Sequence, residues 1–463
     1  MSVAHPFSST ISSTDAAYRC QLVNLLSSDL DFHQEDSLYA AHGFHSFPAK
    51  FPPQLPETFI QNLTQPGEVV LDPMMGSGTT ILEAYFHQRQ AIGLDIDPLA
   101  LMIAQSKVIP FDEEILARAA EQVVAQARQR LDRQRLELEH EFLQRWDAES
   151  REFIEYWFHH ETALELLALI GAIEQIPEQN IRLFLKVAFS GIIITKSGGV
   201  SLALDLAHTR PRRAKIVLDA NEKEILREVG EKPPKHLDIL TKTLRSPLVE
   251  FEKRCKNNLK GISAASAGRL VPQLTWGNAQ AMPLPPASVD LIITSPPYAS
   301  NAIDYMRAHK FSLIWFGYPL KALSQKRQEY IGGESLAGIY LEHLPPAVEE
   351  IVQQIGRLDQ KKGLAARRYY SEMRRVLGEM QRVLKPGKAA IVVVGSSILR
   401  GIDTETHNCL AAIGRDLGFE TPKIGVRQMD RNRRMMPVGN TLNLDSQIQQ
   451  RMHEEYVIGF YKA

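Results

Sequence analysis

Val-Val-Leu-Asp-Pro-Met-Met-Gly-Ser-Gly-Thr-Thr, residues 69–80, is the stretch on which the fold turns. Glu68 to Leu71 reads as a short buried strand, and Thr79 to His87 as the helix that follows. Between them, Gly76 and Gly78 allow a tight turn and a close approach of backbone to a ligand. Strand, glycine loop and helix in this order open a doubly wound α/β domain, whose ligands bind at the carboxyl ends of the strands.

The pattern extends on both sides. Gln54 to Leu63 reads as a helix, Ala91 to Leu94 as a second strand and Pro98 to Lys107 as another helix. Asp95 ends that second strand about 20 residues beyond the loop, where a carboxylate holds ribose hydroxyls. The spacing fits an adenosine cofactor. A phosphate-binding loop needs Gly-Lys-Ser/Thr, but Thr79 follows Gly78; a dinucleotide loop needs a third glycine where Ile81 stands. Carboxylates beside the loop repel a pyrophosphate and favour the sulfonium and ammonium groups of S-adenosylmethionine. The residues expected to meet it are Asp72, Pro73, Met74, Gly76, Ser77, Gly78, Thr79, Asp95 and Ile96. Upstream, Lys50 is placed to meet the cofactor carboxylate and Phe51 to pack on it, unless Pro52-Pro53 merely begins a helix. After a third strand pattern, Gln273 to Trp276, Asn278 can donate to and accept from an adenine edge, or simply shape a turn.

A second string, Thr-Ser-Pro-Pro-Tyr at 294–298, follows the apolar run Val289 to Ile293. Exocyclic amino nitrogens of bases are poor nucleophiles, because their lone pairs are delocalised into the ring. Acceptors aimed at the N–H groups ease the nitrogen toward a tetrahedral geometry. Ser295 offers a hydroxyl, Pro296 and Pro297 fix backbone carbonyls, and Tyr298 offers a face for an extruded base. No cysteine lies beside this loop, which argues against covalent attack on a cytosine ring carbon.

Taken together, these strings resemble the DNA amino-methyltransferases acting on cytosine N4 or adenine N6. Asp72 to Thr80 is similar to that family's cofactor motif, with Met74 in place of phenylalanine. His45 to Pro53 resembles the preceding cofactor motif, Ala91 to Pro98 the acidic second-strand motif, and Thr294 to Tyr298 the catalytic motif. Asn278 stands where the family more often has aspartate. The resemblance covers roughly 42–110 and 270–463 and implies a Rossmann-like class I methyltransferase sheet. It also implies S-adenosylmethionine as cofactor, double-stranded DNA as substrate, base flipping, and a separately encoded restriction endonuclease as a partner. Serine at the head of the catalytic motif favours cytosine N4. The alternatives are adenine N6, an RNA guanine-N2 methyltransferase, and a non-catalytic DNA-binding protein that kept the fold.

Around these motifs the chain divides into an arm (1–40), a first catalytic part (41–110), an insertion (111–265) and a second catalytic part (266–463). Leu116, Ala120, Val123, Ala127 and Leu131 recur at helical steps after the N-cap Asp112, and helical patterning continues to about Lys260. The insertion is therefore expected to be all-helical and to carry target recognition, with 299–370 as a second possibility. A net charge of −1 supplies no global basic field, so DNA must be held by local clusters. Arg210, Arg212, Arg213 and Lys215 form the favoured one; 361–375 and 427–434 form two others. Asn301 to Tyr318 mixes aromatic and basic residues near the target base, although Phe311, Leu313 and Trp315 read as helix core. Three scattered cysteines give no zinc framework, and no run is long enough to span a bilayer. A reduced, cytoplasmic protein with no metal is expected.

Overall fold

The aliphatic runs flanking the two strings become the centre of a seven-stranded sheet in the computed structural model. The structure describes residues 13–48, 50–206, 211–229, 237–262, 270–299, 304–333, 340–429 and 454–463. The strands are β1 (Val69–Asp72), β2 (Gln90–Asp95), β3 (Gln273–Trp276), β4 (Val289–Thr294), β5 (Leu384–Gly395), β6 (Glu420–Gln428) and β7 (Glu454–Lys462). Their order across the sheet is β3-β2-β1-β4-β5-β7-β6. The first five are parallel, while β7 runs antiparallel to both β5 and β6. The order reverses between β1 and β4, which makes their shared carboxyl edge the topological switch point. Both strings begin there.

All six residues of β4 are buried, as are the last three of β1. Strands covered on both faces need continuous apolar runs rather than alternation, and Val289 to Ile293 supplies one, broken only by Asp290. Asp290 is satisfied by the Val69 amide at 3.0 Å and by Lys385 at 2.8 Å. Lys385-Pro386-Gly387, which reads as a helix stop, lies inside β5. The pairing register jumps there, from Val289 opposite Leu384 to Leu291 opposite Ala389, and this jump accommodates the proline.

Helices α1 (Ser13–Leu25), α2 (Gln54–Leu63), α3 (Thr79–Phe86) and α4 (Pro98–Val108) surround the first half of the sheet. The N-terminal segment is thus more than an arm. Leu22, Leu26 and Leu30 are buried, and α1 packs on β5, β6 and β7. Its helical period escaped notice because Tyr18, Leu22 and Leu26 are diluted by exposed polar residues.

The insertion begins with α5 (Glu113–Arg133), α6 (Arg135–Arg145), α7 (Ala148–Trp157), α8 (His160–Glu174) and α9 (Gln179–Ile193), and it ends with α10 (Pro247–Leu259). It is not all-helical. Ile216–Leu218, Glu224–Arg227 and Thr241–Thr243 form a three-stranded sheet where a helix is expected. The overlooked signal is the turn between the first two strands, where the Asp219 carboxylate accepts the amides of Asn221 and Lys223. Pro233-Pro234 lies outside the described residues.

The insertion shares its core with the sheet. One apolar cluster runs from Val70, Leu291 and Ile391 through Ile103 to Phe184 and Leu164. The opposite sheet face, with Leu71, Ile292 and Val392, packs under α13 (Pro346–Leu358), α14 (Gln360–Val383) and α15 (Thr406–Asp416). Between β4 and those helices lie α11 (Tyr305–Leu313) and α12 (Leu320–Lys326). Phe311, Leu313 and Trp315 are fully buried, as expected of helix core.

Candidate active site

The glycine loop is held by its own backbone and by β2. Met75 N donates to Leu94 O at 3.0 Å, Gly78 N to Met75 O at 2.7 Å, and Gly76 N to the Asp95 carboxylate at 2.8 Å. Gly78 has φ +75° and N-caps α3; a Cβ there would lie 2.8 Å from Ala104 Cβ on α4. Gly76 has φ +49°, and its Cβ would meet the Phe47 ring at 3.0 Å. Both positions require glycine on conformation and on space. Lys107, buried beneath the loop, donates to Ser77 O at 2.6 Å.

The loops after β1, β2, β3 and β4 surround a cleft with room for about 100 Å³ of ligand-accessible space. It is lined by Lys50, Phe51, Asp72, Pro73, Met74, Gly76, Ser77, Thr79, Asp95, Ile96 and Asn278, all expected from sequence. Gly78 instead forms the joint between loop and helix. Ser295 and Pro297 also line the cleft, so the two strings meet in one cavity.

The carboxylates are buried and perturbed. Burial pushes Asp95 up to about 7, with neighbouring Asp97 adding to the shift and amides from Asp97 and Gly76 opposing it. Asp95 thus fixes the glycine loop, and each of its oxygens keeps a lone pair for a ribose hydroxyl. Burial raises Asp72 to about 6 despite the amide of Met74 at 3.2 Å. Lys50 donates to His42 O at 2.6 Å, and burial lowers it to about 8. The Asn278 side-chain oxygen already accepts the Gln280 amide at 2.9 Å, so it shapes a turn as well as lining the cleft.

The catalytic string is arranged differently from expectation at its end. Pro296 and Tyr298 do not line the cleft. The Tyr298 hydroxyl donates to Glu455 on β7 at 2.7 Å, and Glu455 is ion-paired with Arg427. Burial, reinforced by Glu455, drives the phenol well above its usual range, so it stays a neutral donor.

Several lining residues were missed. Phe47 lies inside the quoted His45–Pro53 motif, and its ring stacks on Tyr305 at 5.4 Å. Asp97 carries a helix-start signal, Asp before Pro98, and it caps α4 through the Leu99 amide. Its other oxygen accepts from His309 at 2.5 Å and Tyr330 at 2.8 Å. Burial alone would raise Asp97, but His309 and these hydrogen bonds outweigh it and hold the carboxyl below its usual range. Glu329, Tyr330 and Ile331 also line the cleft, and no local pattern announces them.

The basic clusters are mostly engaged elsewhere. Arg213 pairs with Glu228, donates to Tyr156 O at 2.6 Å and lies over the Tyr156 ring at 4.8 Å. Lys215 lies 3.6 Å from the same glutamate, Arg212 is exposed, and Arg210 falls outside the described residues. Arg367, Arg368, Arg374 and Arg375 pair with Glu349, Glu372, Asp416 and Glu342. Arg427 is buried, and Arg431, Arg433 and Arg434 are outside the described residues.

Residues 27–106 match the family described as DNA methylase. The chain is 24% identical over 396 residues to Type II methyltransferase M.MvaI of Kocuria varians, covering 81% of each chain. It is 23% identical over 450 residues to Type II methyltransferase M.BsoBI of Geobacillus stearothermophilus, covering 85% of this chain and 81% of that one. These matches support a DNA methyltransferase of the N4/N6 amino type. Among solved structures, a TehB-like SAM-dependent methyltransferase from Corynebacterium glutamicum aligns over 88% of this chain and 87% of that one, at 8% identity and a TM-score of 0.28. The fold assignment rests instead on this methyltransferase's own strand order, β3-β2-β1-β4-β5-β7-β6.

Its cofactor is S-adenosylmethionine, and the donor set suits it. Asp72 and Asp95 bring carboxylates to the cleft, Lys50 brings an ammonium, and Phe51, Met74 and Ile96 supply apolar walls. Among the described residues, no helix of this methyltransferase is long and apolar enough to cross a membrane.

Proposed function

We propose that the enzyme methylates the N4 amino group of a cytosine flipped out of double-stranded DNA. What supports this most is the convergence of Ser295 and Pro297 with Asp72 and Asp95 in one cleft at the β1/β4 switch point. The bound cofactor supplies an electrophilic methyl group on a sulfonium. Asp95 holds the ribose, Lys50 the carboxylate, and the backbone of the glycine loop the remaining length. Ser295 and the carbonyls fixed by Pro296 and Pro297 accept from the amino N–H groups, so the nitrogen lone pair is freed for in-line attack. The N–C bond would form as the S–C bond breaks, leaving S-adenosylhomocysteine, and the surplus proton on the nitrogen would pass to solvent.

Tyr298, anchored by its hydroxyl on Glu455, adjoins Pro297 of the cleft and would offer its ring to a base entering from outside the cofactor cleft. Flipping a base costs a few kcal/mol, which stacking and hydrogen bonds must offset. Serine at 295 favours cytosine over adenine. The Type II names of the relatives support a separately encoded endonuclease that cuts the same site. Target contacts would fall on the insertion, with Arg212 an exposed cation among the described residues of its 210–215 cluster.

The test is to incubate purified protein with duplex DNA and methyl-labelled cofactor, then identify methylated nucleosides by mass spectrometry. N4-methylcytosine is expected; N6-methyladenine alone would sink the assignment of the base. Ser295→Ala and Tyr298→Ala each lower kcat on the order of 100-fold or more, as loss of a preorganised acceptor or platform does. Wild-type rates from both would remove the catalytic assignment.

A further inference from the structure

Residues 327–333 run between α12 and the far helices and cross the carboxyl edge of the sheet. Tyr330 packs against the core on one sheet face, whereas Ile331 belongs to the core on the other. A segment that passes between the two layers at this edge must pass over the cofactor cleft.

The strap is fastened on both flanks. Arg327 donates to Asp304, the N-cap of α11, at 2.6 Å, and Lys326 lies over the Trp276 ring at 5.1 Å. On the other flank, the buried pair Arg368–Glu372 on α14 grips the strap backbone. Arg368 donates to Gly333 O at 2.8 Å and Gln328 O at 3.0 Å, while Glu372 accepts the Gly332 amide at 2.7 Å. These anchors use main chain and flanking residues. The side chains of Glu329 and Tyr330 are left to line the cleft beside Asp95 and Asp97.

We propose that this strap is a cofactor clamp, with Tyr330 and Glu329 as cofactor-contacting residues lying far from the sequence motifs that form the rest of the site. Tyr330 is held in place through its hydroxyl on Asp97, whose neighbour Ile96 and next residue Asp95 line the ribose and adenine end. Its ring adds apolar wall there. Glu329 adds a carboxylate that strengthens the preference for a cationic ligand over a phosphate. Because His309 of α11 donates to the same Asp97 oxygen, the clamp is tied to the helix that follows the catalytic string. The proposal rests on S-adenosylmethionine occupying this cleft.

The test uses the full chain without DNA and S-adenosylhomocysteine as probe, by titration calorimetry and stopped-flow dissociation. Tyr330→Ala is expected to raise Kd about tenfold, mainly through faster dissociation, with the fall in melting temperature of the cofactor-free protein measured separately. Tyr330→Phe keeps the ring and loses the Asp97 bond, so a smaller rise of about threefold is expected, roughly 0.65 kcal/mol. Lys326→Met, which loosens one flank without touching the cleft, speeds dissociation while leaving the association rate alone. Parental Kd and dissociation rate in both Tyr330 variants would overturn the clamp. Failure of the parent protein to bind the probe would overturn the cofactor assignment itself.

Discussion

The glycine loop and the 327–333 strap line the same cleft, yet they are built by different means. The loop is made largely locally: a strand, two glycines with positive φ and a helix start lie within Val69 to Thr80, and two side chains from the next strand and helix, Asp95 and Lys107, complete the turn. The strap holds only a short 3-10 turn, Arg327–Glu329, and otherwise no regular structure. It is shaped by Arg368 and Glu372 from α14, Asp304 before α11 and Asp97 after β2. A loop determined by its own residues can be found in any sequence that carries it. A strap determined by distant partners is invisible until the chain is folded.

The contrast is testable, and the largest effect should come from the loop side. Asp95→Ala would remove the two charge-assisted bonds proposed to the ribose, each worth about 1.5–3 kcal/mol, as well as the anchor of Gly76. S-adenosylhomocysteine affinity should fall at least about 100-fold by calorimetry, well beyond the tenfold expected of Tyr330→Ala. A strap variant that cost more than Asp95→Ala would invert the hierarchy.

Next is pH. The raised Asp95 (about 7) and Asp72 (about 6) must ionise to serve a cationic ligand, and Lys50 (about 8) must stay protonated to serve a carboxylate. Probe affinity should therefore peak between about 7 and 8 and fall on both sides, approaching about tenfold per unit between pH 6 and 7 and about a hundredfold per unit well below pH 6. The stability of the cofactor-free protein has the opposite sign on the acid side. A carboxyl raised by burial contributes stability below its unfolded value that is lost as pH rises through 6 and 7. Saturating probe should offset that loss, seen as a melting shift that is larger at pH 7.5 than at pH 5.5.

Gly78→Ala places a Cβ at positive φ against Ala104 and should cost about 1–3 kcal/mol in urea denaturation. Glu329→Ala in the strap should cost less, because the bonds that fasten the strap run through Arg327, Tyr330 and the main chain. The smallest effect concerns the insertion. Arg212→Ala should lower the salt slope of DNA binding by about 0.9, whereas Arg213→Ala should leave the slope unchanged and cost about 1 kcal/mol of stability. A change of slope in Arg213→Ala instead would return that residue to the DNA surface.

Much of the site was legible because amino-methyl transfer demands particular residue types at strand ends. Asp72, Gly76, Asp95, Ser295 and Pro297 are found where their strands predict, on one edge. What was not legible shares a cause. Tyr298 reads as a base platform, but that its hydroxyl reaches Glu455, on a strand 157 residues away, is a matter of sheet order. Arg213, Arg368 and Arg427 read as phosphate ligands because sequence shows a charge and not the carboxylate opposite it.

By itself, the sequence determined the parallel sheet, the switch-point loops and the donor types that select a sulfonium cofactor, since strand runs, glycine turns and caps are written within a few residues. Tertiary structure alone decided that the helical block shares one core with the sheet, that His45 on the cofactor motif bonds Ser190 of α9 at 2.8 Å, and that Tyr330 closes on Asp97. Those outcomes depend on pairings across 145 and 233 residues. No local propensity encodes such pairings; only the packing of whole layers brings them together.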